Sequence, residues 1–381
     1  MSGSAVCARK TFRFTTGSVK YPGQQGHDCS QPLRKCGRWH PANELEPMKI
    51  IQIRQPGGPE VLEYTDVPLP LPGPGQVRVR AHAIGVGKPD VLIRQGSYKW
   101  MPPMPAVPGN ELAGVVEALG TGVSPTMMGQ RVLVSSRELP QRGGCYAEAV
   151  CVPADAVYPL PDTVSFDDAV SMPNFQLAGA LLYESGARPP KSILVHGAAG
   201  GVAGALIQLA QADGLLAIGT VSDSAKFDFA HSSGAQHLIN RATQNVPDAV
   251  MTLTNGQGVD MVLDHVGGPG FSANLDLLAA RGTLLSYNAL AGLPDKNLLG
   301  EMRRLLGKSL GVRCYSIHTM DAEPDTRRAL MERALKLLAE GRIRAPKTTV
   351  LPLSDAVQAH QLLDAAQVLG KLVLRPHTSK E

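Results

Sequence analysis

The stretch ILVHGAAGGVAGALIQLA, Ile193–Ala210, joins an apolar run to a knot of small residues and then to a second apolar run. In isolation it fits two readings: a turn that cradles a nucleotide's phosphates, or a tight turn that packs a helix onto a sheet. A phosphate turn of the GxGxxG kind has a strand before it and a helix N-terminus after it. Free N–H groups and the positive end of the helix dipole then meet the anion. Here Ala198 and Ala203 stand at the first and third glycine positions, and only the central Gly200 remains. Gly200 leaves no side chain where a pyrophosphate must approach the backbone. Ala203 is small enough to let the helix pack on the strand. Ala199, Gly201 and Val202 complete the turn, and a helix is expected over Val202–Ala212.

The surroundings favour the phosphate reading. From about 175 to 314 the chain alternates strand-like runs (SILVHGA, LLAIGTV, HLIN, VDMVLDHV, GTLLSYN, VRCYSIH) with helix-length segments. Such alternation implies βαβ units, and six strands make a complete doubly wound dinucleotide fold with a parallel sheet. The second strand bears on which dinucleotide is bound. An acidic residue at its end bonds a ribose 2′-OH, as suits NAD. Here the strand ends in GTVS, with Ser222 followed by Lys226 one helical turn later and Arg241 after the third strand. A hydroxyl and two cations suit a 2′-phosphate, hence NADPH. Asp223 argues the other way, since its carboxylate is able to serve a 2′-OH.

Residues 48–174 have a different texture: short alternating strands such as GQVRVRAHAIGV, separated by Gly/Pro turns, read as a compact β domain. The segment 315–381 holds an amphipathic helix (Arg327–Glu340), a strand, a helix and the closing strand GKLVLRP. It is too small to stand alone and is expected to return and complete the first domain. Residues 1–47 lack apolar periodicity and are expected to be disordered. They hold seven of the 37 Lys/Arg and three of the 33 Asp/Glu, which leaves thirty of each in the rest. The remainder is therefore neutral, and with only 4% aromatic residues it offers no footprint for nucleic acid. No apolar run is long enough to span a bilayer. His27, Cys29, Cys36 and His40 are a loose zinc candidate without finger spacing. Cys145, Cys151 and Cys314 lie in apolar contexts and read as buried free thiols of a reducing, cytoplasmic setting.

In order along the chain stand GVGKPDVLIRQGSY, PAVPGNELAGVVEALGTGV, GGCYAEAVCVP, LVHGAAGGVAGA, GVDMVLDHVGG and LGKLVLRP. This series, from Met48 to Pro376, resembles the medium-chain dehydrogenase/reductase superfamily, in its zinc-free quinone oxidoreductase (zeta-crystallin-like) branch. The resemblance implies a GroES-like β-rich catalytic domain plus a Rossmann-type six-stranded sheet. It also implies a homodimer joined through the edge of that sheet, where VRCYSIH falls. The zinc-dependent branch carries a Cys where this chain has Gly87 and a His where it has Asn110; near the third ligand position the chain reads MPNFQL. Gly supplies no ligand and an Asn amide binds zinc poorly. The implied chemistry is therefore hydride transfer from NADPH to a quinone or similar electron-poor acceptor without a metal. Reduction of an enone, enal or enoyl thioester is the alternative on the same scaffold. A non-catalytic or RNA-binding crystallin-like role is a further one. By position the resemblance marks Tyr98 as the substrate-side hydroxyl, and it marks Gln176, Gly267, Asn288, Ala289 and Lys371 as cofactor contacts. Asp90 is expected to be structural, capping a helix or pairing with Arg94. The acceptor pocket is expected in loops such as Met101–Ala106.

Overall fold

The computed structural model describes residues 46–183 and 189–376. The expected disordered tail, save Glu46 and Pro47, and the His27/Cys29/Cys36/His40 candidate lie outside the described residues. The described residues open on an antiparallel pair, β1 (Pro47–Gln52) and β2 (Glu63–Pro68). β3 (Gln76–Val86) buries Val77, Val79, Ala81 and Ala83 on one face, while Arg78 and Arg80 on the other hold Glu117. This is the period-2 pattern that one solvated sheet face produces. Helix α1 (Lys88–Arg94) follows, then β4 (Glu111–Leu119), β5 (Arg131–Ser135), β6 (Ala149–Pro153) and β7 (Val157–Pro159).

After the short α2 (Phe166–Ala169) and α3 (Met172–Tyr183) the pattern changes. β8 (Ser192–Val195), α4 (Gly201–Ala212), β9 (Leu216–Val221), α5 (Ser224–Ser232), β10 (His237–Asn240), α6 (Val246–Leu253) and β11 (Val259–Asp264) alternate strictly. β12 (Leu278–Ser286), α7 (Leu298–Arg304) and β13 (Gly311–Cys314) complete the set. These six strands pair in parallel in the order β10-β9-β8-β11-β12-β13. That is the doubly wound dinucleotide order, with the reversal between β8 and β11. The strands read as continuous apolar runs because helices cover both faces. Side chains cap α5, α6 and α7 at Asp223, Asn245 and Asn297, and each oxygen takes an otherwise unpaired helix N–H.

The chain ends in α8 (Pro324–Ala339), β14 (Thr348–Pro352), α9 (Ala356–Asp364) and β15 (Lys371–Arg375). β15 pairs with β3, and β14 with β15, so both strands join the seven-stranded sheet. Helix α8 shares its core with α3 and α4, through Leu330, Met331, Ala334 and Leu335 beside Phe175 and Leu206. The return segment thus divides: its strands extend the β-rich sheet, and its first helix covers the nucleotide fold. The thiols differ from the expectation in one respect. Cys145 is buried and Cys151 intermediate, but Cys314 is exposed, because it ends the edge strand β13.

Candidate functional site

Two clefts carry the polar chemistry. The first, of about 460 Å³, opens at the carboxyl ends of β8, β9 and β11. Its wall includes the phosphate turn. The residue in the left-handed region is Gly197, at φ +67, one position before the Ala198 where a glycine is expected. A Cβ there would stand 2.6 Å from the His265 ring, so the turn has its glycine after all, displaced by one residue. Gly200 then extends the chain into α4, whose N-terminus no side chain caps. Ala199 and Gly200 line the cleft, and Gly201 and Val202 begin the helix behind them.

The floor of this cleft is a hydrogen-bonded chain. His196 contacts Thr220 Oγ1 at 3.0 Å through Nδ1 and Asn274 Oδ1 at 2.7 Å through Nε2. Asn274 Nδ2 donates to Asp264 Oδ2 at 3.0 Å, and Asp264 Oδ1 accepts from Val266 N and Gly267 N at 2.6 and 3.1 Å. The Asp264 carboxylate thereby shapes the turn that brings Gly267 to the cleft. His265 also lines it, with Nδ1 3.2 Å from the Tyr287 hydroxyl, and burial lowers its pKa. Sequence reasoning missed His196, Thr220, Asp264, His265 and Asn274. Four of them end strands or directly follow them, which is the signal that would have found them; Asn274 lies beyond β11 and carries no such mark.

At the far end Ser222, Lys226 and Arg241 line the same cleft. Lys226 Nζ donates to Ser222 Oγ at 2.9 Å. Asp223 is absent from the cleft wall: its Oδ1 caps α5 by accepting from Lys226 N at 2.9 Å. Its Oδ2 accepts from Ser222 Oγ at 2.8 Å and pairs with Lys226 Nζ at 3.0 Å. Those contacts, the backbone N–H first, hold its pKa at about 2. Arg241 is exposed and has no carboxylate within 4 Å among the described residues.

The second cleft, of about 1110 Å³, is lined by Trp100, Met101 and Pro102, by the 137–142 segment and by the start of α8. Met101 and Pro102 belong to the Met101–Ala106 loop named above for the acceptor pocket. Its inner wall is a network of charges. Arg327 grips Glu138, with Nη2 2.7 Å from Oε2, and also reaches Asp321 Oδ1 at 2.9 Å. Arg142 donates to both oxygens of Asp321. His318 stacks on Trp100 with ring centroids 3.3 Å apart. Its Nε2 lies 3.3 Å from the Tyr98 hydroxyl, and its Nδ1 lies 3.3 Å from Arg142 Nη2 and from Asp321 Oδ2. Burial and then the Arg142 charge lower the His318 pKa to about 4, so the ring is neutral at pH 7. Burial raises the pKa of Tyr98, which keeps its proton there. Tyr98 itself lines neither cleft.

Gly87 and Asn110 come together around Asp90. Asp90 Oδ2 accepts from Gly87 N at 2.8 Å, which caps α1; Oδ1 accepts from Asn110 Nδ2 at 2.6 Å and Gly109 N at 3.2 Å. The capping role is as expected, but Arg94 pairs with Asp364 at 2.8 Å rather than with Asp90. Three donors already satisfy the Asp90 carboxyl. Burial and the nearby Glu111 charge raise its pKa to about 7. Asn110 Oδ1 accepts from Ser136 Oγ, so both ends of that amide are committed. Among the described residues no cluster of three or more His, Cys, Asp or Glu is placed to hold a metal.

The remaining expected contacts scatter. Gln176 is fully buried; it donates to Arg327 O at 2.9 Å and accepts from Arg137 Nη1 at 3.1 Å. Lys371 is buried in an ion pair with Glu111 and does not line the cleft, although Ala366, Val368 and Leu369 just before it do. An ammonium at that depth needs a carboxylate to offset its lost hydration. Asn288 and Ala289 lie in an exposed turn beside Gly267, and only their neighbour Leu290 reaches the cleft.

The first cleft fits an extended anionic dinucleotide. It combines an uncapped helix N-terminus, small residues at the turn and cations at one end. The alcohol dehydrogenase GroES-like domain family matches residues 73–162, and the zinc-binding dehydrogenase family matches residues 233–374. A quinone oxidoreductase of Pseudomonas aeruginosa is 35% identical over 332 residues, 86% of this chain and 99% of that protein. The structure of Escherichia coli quinone oxidoreductase complexed with NADPH is 30% identical. It aligns with a TM-score of 0.73 over 86% of this chain and all of that one. That of a 2-haloacrylate reductase is 29% identical, with a TM-score of 0.72 over 87% of this chain and all of that one. The chain is an oxidoreductase and belongs to the medium-chain dehydrogenase/reductase superfamily, within its quinone oxidoreductase group.

Proposed function

We propose that this protein passes a hydride from NADPH to a quinone or similarly electron-poor acceptor without a metal. The observation that carries the cofactor choice is the convergence of Ser222, Lys226 and Arg241 on the cleft of the phosphate turn, while both Asp223 oxygens are spent on α5 and its neighbours. Bound there, the dihydronicotinamide supplies two electrons and a hydrogen as hydride, and one further proton completes a hydroquinone. The N–H groups of Gly201 and Val202, at the uncapped start of α4, would hold the pyrophosphate, and Gly267 would border the nicotinamide end, with Asn288 and Ala289 in the exposed turn beside it. Gly87 offers no ligand and the Asn110 amide is committed, which supports direct transfer.

Tyr98 stands behind the cleft wall, 5.8 Å from the Trp100 ring, and supplies the proton through an intervening water, with His318 as its positioning residue. When Arg142 donates to His318 Nδ1, the ring hydrogen sits on Nε2 and is donated to the Tyr98 oxygen. The Tyr98 O–H is then free to be given to the acceptor. When Nδ1–H is donated to Asp321 instead, Tyr98 donates to Nε2 and its proton is held back. Tyr98→Phe is expected to lower kcat with 1,4-benzoquinone on the order of a hundredfold and to remove the alkaline limb of the pH profile. An unchanged kcat and profile would assign the proton to water alone. The same assay tests the whole reading: no NADPH oxidation above the uncatalysed rate would sink it.

The likeness to a 2-haloacrylate reductase favours a second reading, reduction of an activated carbon–carbon double bond. Turnover of trans-2-enals or crotonyl-CoA in preference to quinones would select it. We also propose a homodimer joined along β13, the edge of the six-stranded sheet among the described residues. Light scattering that returns the monomer mass of 40.3 kDa would refute it.

A further inference from the structure

The inner wall of the larger cleft holds three guanidiniums, Arg137, Arg142 and Arg327, against two carboxylates, Glu138 and Asp321. Ion pairs account for four of these five groups. Arg327 holds Glu138 and shares Asp321 with Arg142. Arg137 is left over, with no carboxylate within 4 Å among the described residues. Its Nη1 spends both hydrogens on neutral oxygens, Pro173 O at 2.7 Å and Gln176 Oε1 at 3.1 Å. Those two bonds fix the plane of the group. The Nε–Nη2 edge meets no protein acceptor, and Arg137 lines the cleft. Two parallel N–H groups on one edge of a guanidinium are the fork that grips a carboxylate or sulfonate with two hydrogen bonds. A half-buried guanidinium without an anion is costly, and burial presses its pKa downward. Glu111, the carboxylate whose charge acts most strongly on Arg137, is already paired with Lys371. The exposed Asp155 and Asp325 stand at the mouth, where solvent screens them.

We infer that the acceptor this cleft takes carries an anionic group, a carboxylate or an oxyanion of similar shape, and that the Nε–Nη2 edge of Arg137 binds it. The inference rests on the oxidoreductase reading above and names the acceptor class within it. Gln176 links Arg137 to α8 through Arg327 O, so the fork is held by the same buried amide that joins the two layers.

The test pairs turnover with binding. NADPH oxidation is measured with 1,4-naphthoquinone-2-sulfonate and with 1,4-naphthoquinone, in the wild type, Arg137→Gln and Arg137→Lys. The ratio of kcat/KM for the sulfonate to that for the neutral quinone is expected to fall ten- to a hundredfold in Arg137→Gln. Arg137→Lys, which keeps the charge but loses the fork, is expected to fall less and serves as the folding control. Comparison between variants cancels the intrinsic reactivity of the two quinones. Calorimetry with naphthalene-2-sulfonate and naphthalene-2-sulfonamide reads the same site without hydride transfer. The sulfonate is expected to bind wild type more tightly, and Arg137→Gln to erase the difference. Equal binding of the two in wild type, or an equal loss of both in Arg137→Gln, would overturn the proposal. If no quinone is turned over but the sulfonate preference is present and depends on Arg137, the anion site stands and the quinone reading alone fails.

Discussion

Alanine at both Lys226 and Arg241 is expected to weaken NADPH binding on the order of a hundredfold and NADH binding by less than about threefold. A charge-assisted hydrogen bond to a phosphate contributes roughly 1.5–3 kcal/mol. Both side chains here are solvated, so about 1.4 kcal/mol each is the appropriate scale, a factor of ten per residue. NADH lacks the 2′-phosphate and has little to lose. The Asp223 carboxylate does not reverse this preference, because Lys226 N, Lys226 Nζ and Ser222 Oγ already occupy its two oxygens. The decisive measurement is the ratio of dissociation constants for the two cofactors, by titration in wild type and double variant. A wild type that binds NADH and NADPH alike would remove the basis for NADPH.

The second large effect concerns the scaffold. Arg327→Leu is expected to cost about 3–5 kcal/mol of folding stability, the scale for removing one partner of a buried ion pair. Arg327 is 6% exposed and donates through three nitrogens to Glu138, Asp321 and Met320 O. Without it Glu138 retains only the Tyr158 hydroxyl. The contact ties the turn after β5 to α8, across 189 residues of chain. Urea denaturation at pH 7 checks the figure, and a loss below about 1 kcal/mol would mean that Arg142 takes over both carboxylates. Lys336→Ala, whose exposed ammonium lies 3.9 Å from Glu340, is the comparison and is expected to cost far less.

Much of this molecule is local enough to be read from residue order. The strand–helix alternation between 175 and 314 became six parallel strands in the doubly wound order, because apolar runs of that length bury only when helices cover both faces. The turn between β8 and α4 was legible from small residues between two apolar runs, although its left-handed glycine is Gly197 rather than position 198. Ser222, Lys226 and Arg241 were legible because they follow strand ends, and strand ends in such sheets meet at one crevice.

The second cleft was not legible beyond its loop at Met101. Arg137, Arg142, His318 and Arg327 lie in segments of unrelated texture, and no spacing rule joins them. Lys371 shows the same limit: the family position suggested a cofactor contact, while the fold buries it against Glu111, 260 residues away. Residue order by itself determined the two sheets, the nucleotide crevice and the absent side chain at Gly87. Only the tertiary structure decided which charges are paired and which is left over. Periodicity records which face of an element is buried, whereas charge compensation depends on groups that come together only after distant segments have packed.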